Sequence, residues 1–205
     1  MKDKYSSKQI EAIYDKHAKW YDFRMYFTES IIKKLRRKLI GNANGRVLEI
    51  SFGSGVNLPY YCKDCEIVGI DISKEMLKRA KKRASKYGRK VNLKEGNVEK
   101  LIFKDEQFDY VVDTLGLCTF ANPDKALIEM KRVCKRNGKI LLLEHGLGRS
   151  KIINKFLNLK EARHYKKSGC HLTRDIIGMV KKSGLSIVEE KRKCFGTICY
   201  IIAKK

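Results

Sequence analysis

Five short, mainly apolar runs recur along the chain at residues 47–50, 67–70, 91–93, 108–112 and 140–143, and their length is that of buried strands. Helical patterns separate them. Ser73 can cap a basic amphipathic helix carrying Met76, Leu77 and Ala80. Asn122, with Pro123 at the first helical position, opens a second helix that runs to about Cys134 and is closed by Gly138. An aromatic-rich helical stretch precedes the first strand and ends near Leu39, stopped by the turn-forming residues 41–45. After the fifth strand, residues 151–167 form a basic helix with Ile152, Ile153, Phe156, Leu157 and Leu159 toward one side. Thr173 caps a further helix to about Ser183, and residues 185–190 and 196–203 read as two strands joined by a turn. This alternation predicts an α/β fold: a doubly wound, mainly parallel seven-stranded sheet with a C-terminal antiparallel hairpin and an N-terminal helical lid.

With 205 residues, 43% of them hydrophobic and only two prolines, the chain can build one packed domain, which excludes disordered, collagen-like and low-complexity classes. No apolar run approaches the ~18–20 residues of a membrane span. The 46 basic and 23 acidic residues leave a net charge of +23, spread through clusters such as 33–38, 78–90 and 131–139 on expected outer faces. Such a surplus is either a solvated surface or an attraction to anionic lipid, RNA or an acidic substrate. Seven cysteines, an odd number, and no charged-then-apolar leader in residues 1–14 point to a reducing compartment, cytoplasmic or mitochondrial. Cys62 and Cys65 are a tight pair, but Cys170, His171, Cys194 and Cys199 do not complete a zinc pattern, so no metal site is expected.

Chemistry is concentrated after the first strand, in Glu49-Ile50-Ser51-Phe52-Gly53-Ser54-Gly55, and at Asp71, sixteen residues beyond Gly55 at the tip of the second strand. Glycines at a strand-to-helix turn let a ligand approach the backbone, and a carboxylate at the next strand tip can accept hydrogen bonds from both ribose hydroxyls. An adenosyl cofactor is implied. A dinucleotide would want a third glycine where Leu58 and Pro59 stand, which leaves a nucleoside without pyrophosphate, S-adenosylmethionine being the commonest.

Further motifs follow in order: Gly96-Asn97-Val98-Glu99, then Phe108-Asp109-Tyr110-Val111-Val112-Asp113, then Arg132-Val133-Cys134-Lys135-Arg136-Asn137-Gly138. With them, residues 10–203 resemble the class I S-adenosylmethionine-dependent methyltransferases, of the ubiquinone and menaquinone methyltransferase-like superfamily, with a Rossmann-like sheet. Asp113-Thr114-Leu115-Gly116-Leu117-Cys118, Leu142-Leu143-Glu144-His145-Gly146 and Gly169-Cys170-His171-Leu172-Thr173-Arg174-Asp175 are similar to a narrower group. It includes membrane-associated alkyl-thiol methyltransferases, mitochondrial membrane relatives and bacterial proteins. Ser51 stands where the family usually has its first glycine and Asn97 where it often has aspartate; Arg136 and Asn137 replace a proline and a glycine. The lipid-facing members carry an N-terminal apolar anchor that this sequence does not show.

The resemblance implies that Glu49, Ser51, Gly53 and Gly55 shape the methionine pocket, Asp71 holds the ribose, and Ile72, Met76, Asn97 and Val98 flank adenine. Thr114 and Leu115 would lie near the methionine end. It divides a single methyltransferase domain, 1–205, into a helical lid (1–41), a cofactor-binding core (46–144), a substrate-side insertion (149–172) and a C-terminal helix and hairpin (173–203). Seven of the chain's 19 aromatic residues lie in the first 27, namely Tyr5, Tyr14, Trp20, Tyr21, Phe23, Tyr26 and Phe27. As part of a lid, Tyr14 or Tyr21 would face the sulfonium, whose charge a ring face attracts. His145, directly after the fifth strand, is the expected general base, and Cys118 a small buried hydrophobe. The expected activity is methyl transfer to a small or lipidic acceptor (a thiol, a quinone-type ring or a phospholipid amine) with peripheral contact to anionic membrane. A second reading is a non-catalytic cofactor-fold protein that binds RNA or acts in assembly through its basic surface. A third is metal or arsenic methylation through Cys62 and Cys65.

Overall fold

The computed structural model describes residues 5–205, apart from the side chains of Arg24, Met25 and Phe27, so Phe27 of the expected aromatic lid lies outside the described residues. The elements run α1 (Ser7–Ile40), β1 (Arg46–Ile50), β2 (Glu66–Asp71), α2 (Lys74–Lys86), β3 (Val91–Glu95), β4 (Phe108–Thr114), α3 (Pro123–Val133), β5 (Cys134–His145), α4 (Lys151–Ser168), α5 (Ile176–Lys182), β6 (Ser186–Lys193) and β7 (Ile198–Lys204). They form one seven-stranded sheet in the order β3-β2-β1-β4-β5-β7-β6. β1 to β5 pair in parallel, while β7 pairs antiparallel with both β5 and β6. The strand order reverses between β1 and β4, and ligands of doubly wound sheets bind beyond the carboxyl ends of strands at such a point.

Successive strand residues face opposite sides of the sheet, so a sheet covered on both faces needs apolar side chains at nearly every position. On one face Leu48, Ile50, Val68 and Ile70 pack with Leu127 and Met130 of α3 and Ile176 and Val180 of α5. On the other, Val47, Ile67, Val112 and Leu141 pack with Ile32, Leu39 and Ile40 of α1 and Ala80 of α2. This double burial is why the strands read as short apolar runs. The caps of α2 and α3 are those expected: Ser73 Oγ accepts from Met76 N at 3.1 Å, and Asn122 Oδ1 accepts from Lys125 N at 3.1 Å.

Three expectations are corrected. Gly138 does not close α3, which already ends at Val133; it lies within β5, where the β4–β5 register shifts. A Cβ there would come within 2.7 Å of Cys134 Sγ and 2.8 Å of the Asp109 carbonyl, so close strand approach requires glycine. The cap of α5 is Asp175, whose Oδ1 accepts from Gly178 N at 3.0 Å, and not Thr173. Finally, the five apolar residues expected on one side of α4 do not share one environment: Ile153 and Leu157 are half-buried. Ile152, Phe156 and Leu159 are exposed, and the buried residues of the helix are Glu161 and Tyr165.

Candidate functional site

The sequence turns sharply after β1. Gly53 and Gly55 adopt φ of 56° and 78°, in the left-handed region that glycine enters without steric cost. Ser51 enters the same region at φ 49°, and its buried Oγ has no hydrogen-bond partner. That conformation explains why glycine is usual there. A left-handed residue with a Cβ costs roughly 1–2 kcal/mol. Ser51→Gly is therefore expected to stabilise the protein by about 1 kcal/mol, raising the melting temperature by roughly 2–4 °C in a chain of this size. Thermal unfolding measures it, and a lowered melting temperature would show that the hydroxyl holds a structural contact.

Beyond this turn, a cavity opens at the carboxyl ends of β1, β2 and β4. Ten of the twelve expected cofactor residues line it: Tyr21, Ser51, Gly53, Asp71, Ile72, Met76, Asn97, Val98, Thr114 and Leu115. Glu49 lines instead an adjoining cavity of about 1180 Å³, which shares Tyr21, Ser51, Gly53, Thr114 and Leu115 with the first. Gly55 lines neither; a Cβ on it would lie 2.9 Å from Leu58 Cδ1, so its role is in the turn.

Asp71 is the focus. Its Oδ2 accepts from Gly53 N at 2.7 Å and its Oδ1 from Ser73 N at 2.9 Å, which aligns the carboxyl between the glycine turn and the start of α2. Each oxygen keeps a further lone pair. Burial pushes the Asp71 carboxyl up to about 6 despite those donors. Burial likewise pushes Glu49 up to about 7, although Tyr61 donates to it at 2.7 Å and Asn57 at 2.8 Å. At the ends of β4 and β5, Asp113 and Glu144 are also raised, by burial above all and, for Asp113, by Glu144 beside it. Four acidic side chains thus lie buried near the switch point of a chain whose net charge is +23. Of these, Asp71 lines the first cavity and Glu49 the second, while Asp113 and Glu144 line neither.

Helix α1 covers the cavity. Ser7, Ile10, Tyr14 and Tyr21 line it from above, with the Tyr14 and Tyr21 rings 6.2 Å apart. The helix is fastened to the cofactor turn by Asp22, which accepts from Ser54 Oγ at 2.6 Å and pairs with Arg83 at 2.8 Å and Arg79 at 3.0 Å. Asp15 accepts from Ser73 Oγ at 2.5 Å, and Asn97 donates to Ser7 Oγ at 3.2 Å. By contrast Trp20, Phe23 and Tyr26 are largely exposed, Tyr26 at the rim of the second cavity, so only part of the aromatic crowding packs inward.

Sequence reasoning missed Arg36 and Asn57. The Arg36 guanidinium donates to Asn57 Oδ1 at 2.6 Å, Thr114 Oγ1 at 2.9 Å and Glu29 Oε2 at 2.9 Å, while Asn57 donates to Glu49 and Thr114. Nothing in the sequence spacing joins α1 to the loop after β1. Thr119 and Phe120, in the loop after β4, also line the cavity.

His145 stands at the end of β5 as expected, but it lines neither cavity. Its Nε2 lies 3.0 Å from Cys170 Sγ. Burial opposes its charged form, yet Cys118 and then Glu144 outweigh this and raise the imidazole to about 9, so it already carries a proton at neutral pH. Both facts count against a general base. His171 stacks on Tyr165 at 4.0 Å and meets Glu161 Oε1 at 2.6 Å, a contact that fixes it in the loop after α4.

The residues fit S-adenosylmethionine: an acid at the second strand tip, an unpartnered Ser51 hydroxyl, and a Gly53 on which a Cβ would meet no atom nearer than 3.8 Å and would fill ligand space. Comparison with known proteins agrees. A family described as "Methyltransferase domain" matches residues 48–142. Methyltransferase OMS1, mitochondrial, of Saccharomyces cerevisiae is 32% identical over 94% of this chain, which spans 45% of that protein's length. A phosphatidylethanolamine N-methyltransferase of Cereibacter sphaeroides is 31% identical over 67% of this chain and 70% of its own. In fold, a S-adenosylmethionine-dependent methyltransferase of Thermotoga maritima superposes with a TM-score of 0.72 at 19% identity, covering 95% of this chain and 99% of that one. The chain belongs to the class I S-adenosylmethionine-dependent methyltransferases, and S-adenosylmethionine is its cofactor.

Proposed function

We propose that the enzyme methylates a lipidic acceptor taken from an anionic membrane surface, with alignment and exclusion of water as its catalytic devices. One observation carries this reading: α4 presents Ile152, Phe156 and Leu159 to solvent at helical spacing, beside Lys151, Lys155, Lys160 and Arg163. An exposed apolar stripe with basic flanks is the pattern of a helix lying in a membrane interface. Trp20, Phe23 and Tyr26 on α1 add exposed aromatic side chains of the kind found at that depth. No helix among the described residues is long and apolar enough to cross a membrane.

S-adenosylmethionine supplies an electrophilic methyl group on a sulfonium, and the remaining work falls to the chain's own residues. Asp71 would hold the ribose, Ile72, Met76, Asn97 and Val98 the adenine, and the Glu49 network the methionine end. Tyr14 and Tyr21 would turn ring faces toward the sulfonium and keep water out. Burial keeps both phenols protonated, so neither removes a proton from the acceptor. The charge surplus of the outer surface draws the enzyme to anionic lipid. A phospholipid amine is the favoured acceptor, by analogy with the relative named for that chemistry; a thiol or a quinone-type ring is the alternative. Seven free thiols suit a reducing compartment, cytoplasmic or mitochondrial.

Sedimentation with vesicles tests the membrane component. The wild type is expected to pellet with anionic vesicles at low salt and not with neutral ones. Replacing Ile152, Phe156 and Leu159 together by serine should lower that binding by roughly tenfold or more, given about 25 cal/mol for each Å² of apolar surface withdrawn from water. Equal binding to both vesicle types, no binding to either, or salt-sensitive retention on RNA alone would contradict the reading.

A further inference from the structure

Cys118 follows β4, His145 ends β5 and Cys170 follows α4, yet their ligand atoms all lie within 4.8 Å of one another. No other group of three or more histidine, cysteine or acidic side chains converges in this way among the described residues. His145 Nε2 is 3.0 Å from Cys170 Sγ; both cysteines are buried and the histidine is half-buried. The backbone holding them is pinned. His171 N donates to the Cys118 carbonyl at 2.8 Å, and the Arg174 guanidinium donates to the carbonyls of Leu117 and Phe120 on either side of Cys118. Gly169, at φ 67°, turns the chain out of α4 directly into Cys170. His145 is paired with Ile198 at the end of the β5–β7 ladder.

A tetrahedral zinc ion, with Zn–S near 2.3 Å and Zn–N near 2.0–2.1 Å, sets its ligand atoms roughly 3.6–3.8 Å apart. The observed spacing, from 3.0 Å to no more than 4.8 Å, straddles that figure, so shifts of about 1 Å or less would seat the ion. We propose that Cys118, His145 and Cys170 form a binding site for a thiophilic divalent cation, zinc first among them. Binding joins two Cys Sγ and one His Nε2 to the metal and releases to solvent one proton from each thiol and one from the imidazolium, so two thiolates balance the ion's charge and a neutral imidazole completes the set. The Arg174 guanidinium, donating to carbonyls on both sides of Cys118, complements those thiolates. Three protein ligands leave the fourth tetrahedral position open to water or to a bound molecule, unlike the closed four-ligand sites that serve structure alone. The pair legible in the sequence gathers no comparable set: Cys62 is exposed, and Cys65 Sγ donates to the Ala43 carbonyl at 3.3 Å.

The test uses the full chain, reduced and stripped of metal by a chelator, then titrated with Co²⁺ and afterwards with Zn²⁺. The proposal predicts uptake of one Co²⁺ per chain, with the sulfur-to-cobalt charge-transfer band and intense visible bands of a tetrahedral thiolate site, bleached by one equivalent of Zn²⁺. Cys118→Ser and Cys170→Ser should each weaken zinc binding on the order of a hundredfold or more and diminish the charge-transfer band. The double variant Cys62→Ser/Cys65→Ser should bind as the wild type does. No stoichiometric uptake by the wild type overturns the proposal without recourse to any variant. So does uptake that persists in a Cys118→Ser/Cys170→Ser double variant, or that disappears with Cys62 and Cys65.

Discussion

Replacing Asp71 with alanine is expected to weaken S-adenosylmethionine binding by at least about a hundredfold. A hydrogen bond to a charged carboxylate contributes roughly 1.5–3 kcal/mol, and two ribose hydroxyls would each lose one. Calorimetric titration reads the loss directly, with circular dichroism to show that the fold is kept. The pH dependence gives a second signature of the same group. Burial holds Asp71 at about 6, so wild-type affinity should be flat above pH 7 and fall by up to roughly tenfold per unit below pH 6, as the carboxylate is protonated. The sign for stability is opposite. A folded-state value raised above the ordinary 3.8 means that the unliganded fold binds more protons than the unfolded chain, and loses stability as pH rises from about 4 to 6. Unchanged affinity in Asp71→Ala would remove the ribose assignment.

Arg36→Ala is expected to cost about 3 kcal/mol of stability. The guanidinium is buried and satisfies three acceptors on three separate segments, Glu29, Asn57 and Thr114. Breaking a buried ion pair from one side leaves the other charge uncompensated, which typically costs about 3–5 kcal/mol; the partial exposure of Glu29 places this case at the low end. One oxygen of Glu29 already lacks a partner, so the variant would strand the second. In a chain of this size the melting temperature should fall by roughly 6–12 °C. Arg36→Lys should recover little, because an ammonium cannot reproduce the planar fork that spans these acceptors. A drop of under about 2 °C in Arg36→Ala would show that the network contributes specificity rather than stability.

The order of strands and helices was legible because the sheet is covered on both faces, which forces apolar residues into runs such as 47–50 and 140–143 that no surface strand would carry. The place of Asp71 was legible for a related reason: the tip of a parallel strand next to a glycine turn lies at the mouth of the sheet, and the structure puts Asp71 in the cavity there. Local signals with two readings failed. Gly138 follows a helical pattern as a helix terminator would, yet glycine is also what close strand approach demands, and only the β4–β5 register distinguishes the two. Thr173 and Asp175 are both capping residues two positions apart, and the hydrogen bond to Gly178 chose the second. In α4 the apolar spacing was real, but apolar periodicity identifies a face without saying what covers it, and here Glu161 and Tyr165 turn inward. The group of Cys118, His145 and Cys170 could not be read at all, because each residue comes from a different segment and only the fold brings them together. Arg36 escaped for the same reason, as a cation on a lysine-rich helix that looked like solvated surface.

A labelled methyl group is followed from S-adenosylmethionine, with the enzyme, anionic vesicles and a lipid extract, into separated lipid, protein and RNA fractions. Label is expected in the lipid fraction, in proportion to enzyme, and is expected to vanish with Asp71→Ala. Label confined to protein or RNA, or equal incorporation by the wild type and Asp71→Ala, would contradict a lipid methyltransferase whose cofactor sits between the glycine turn and Asp71.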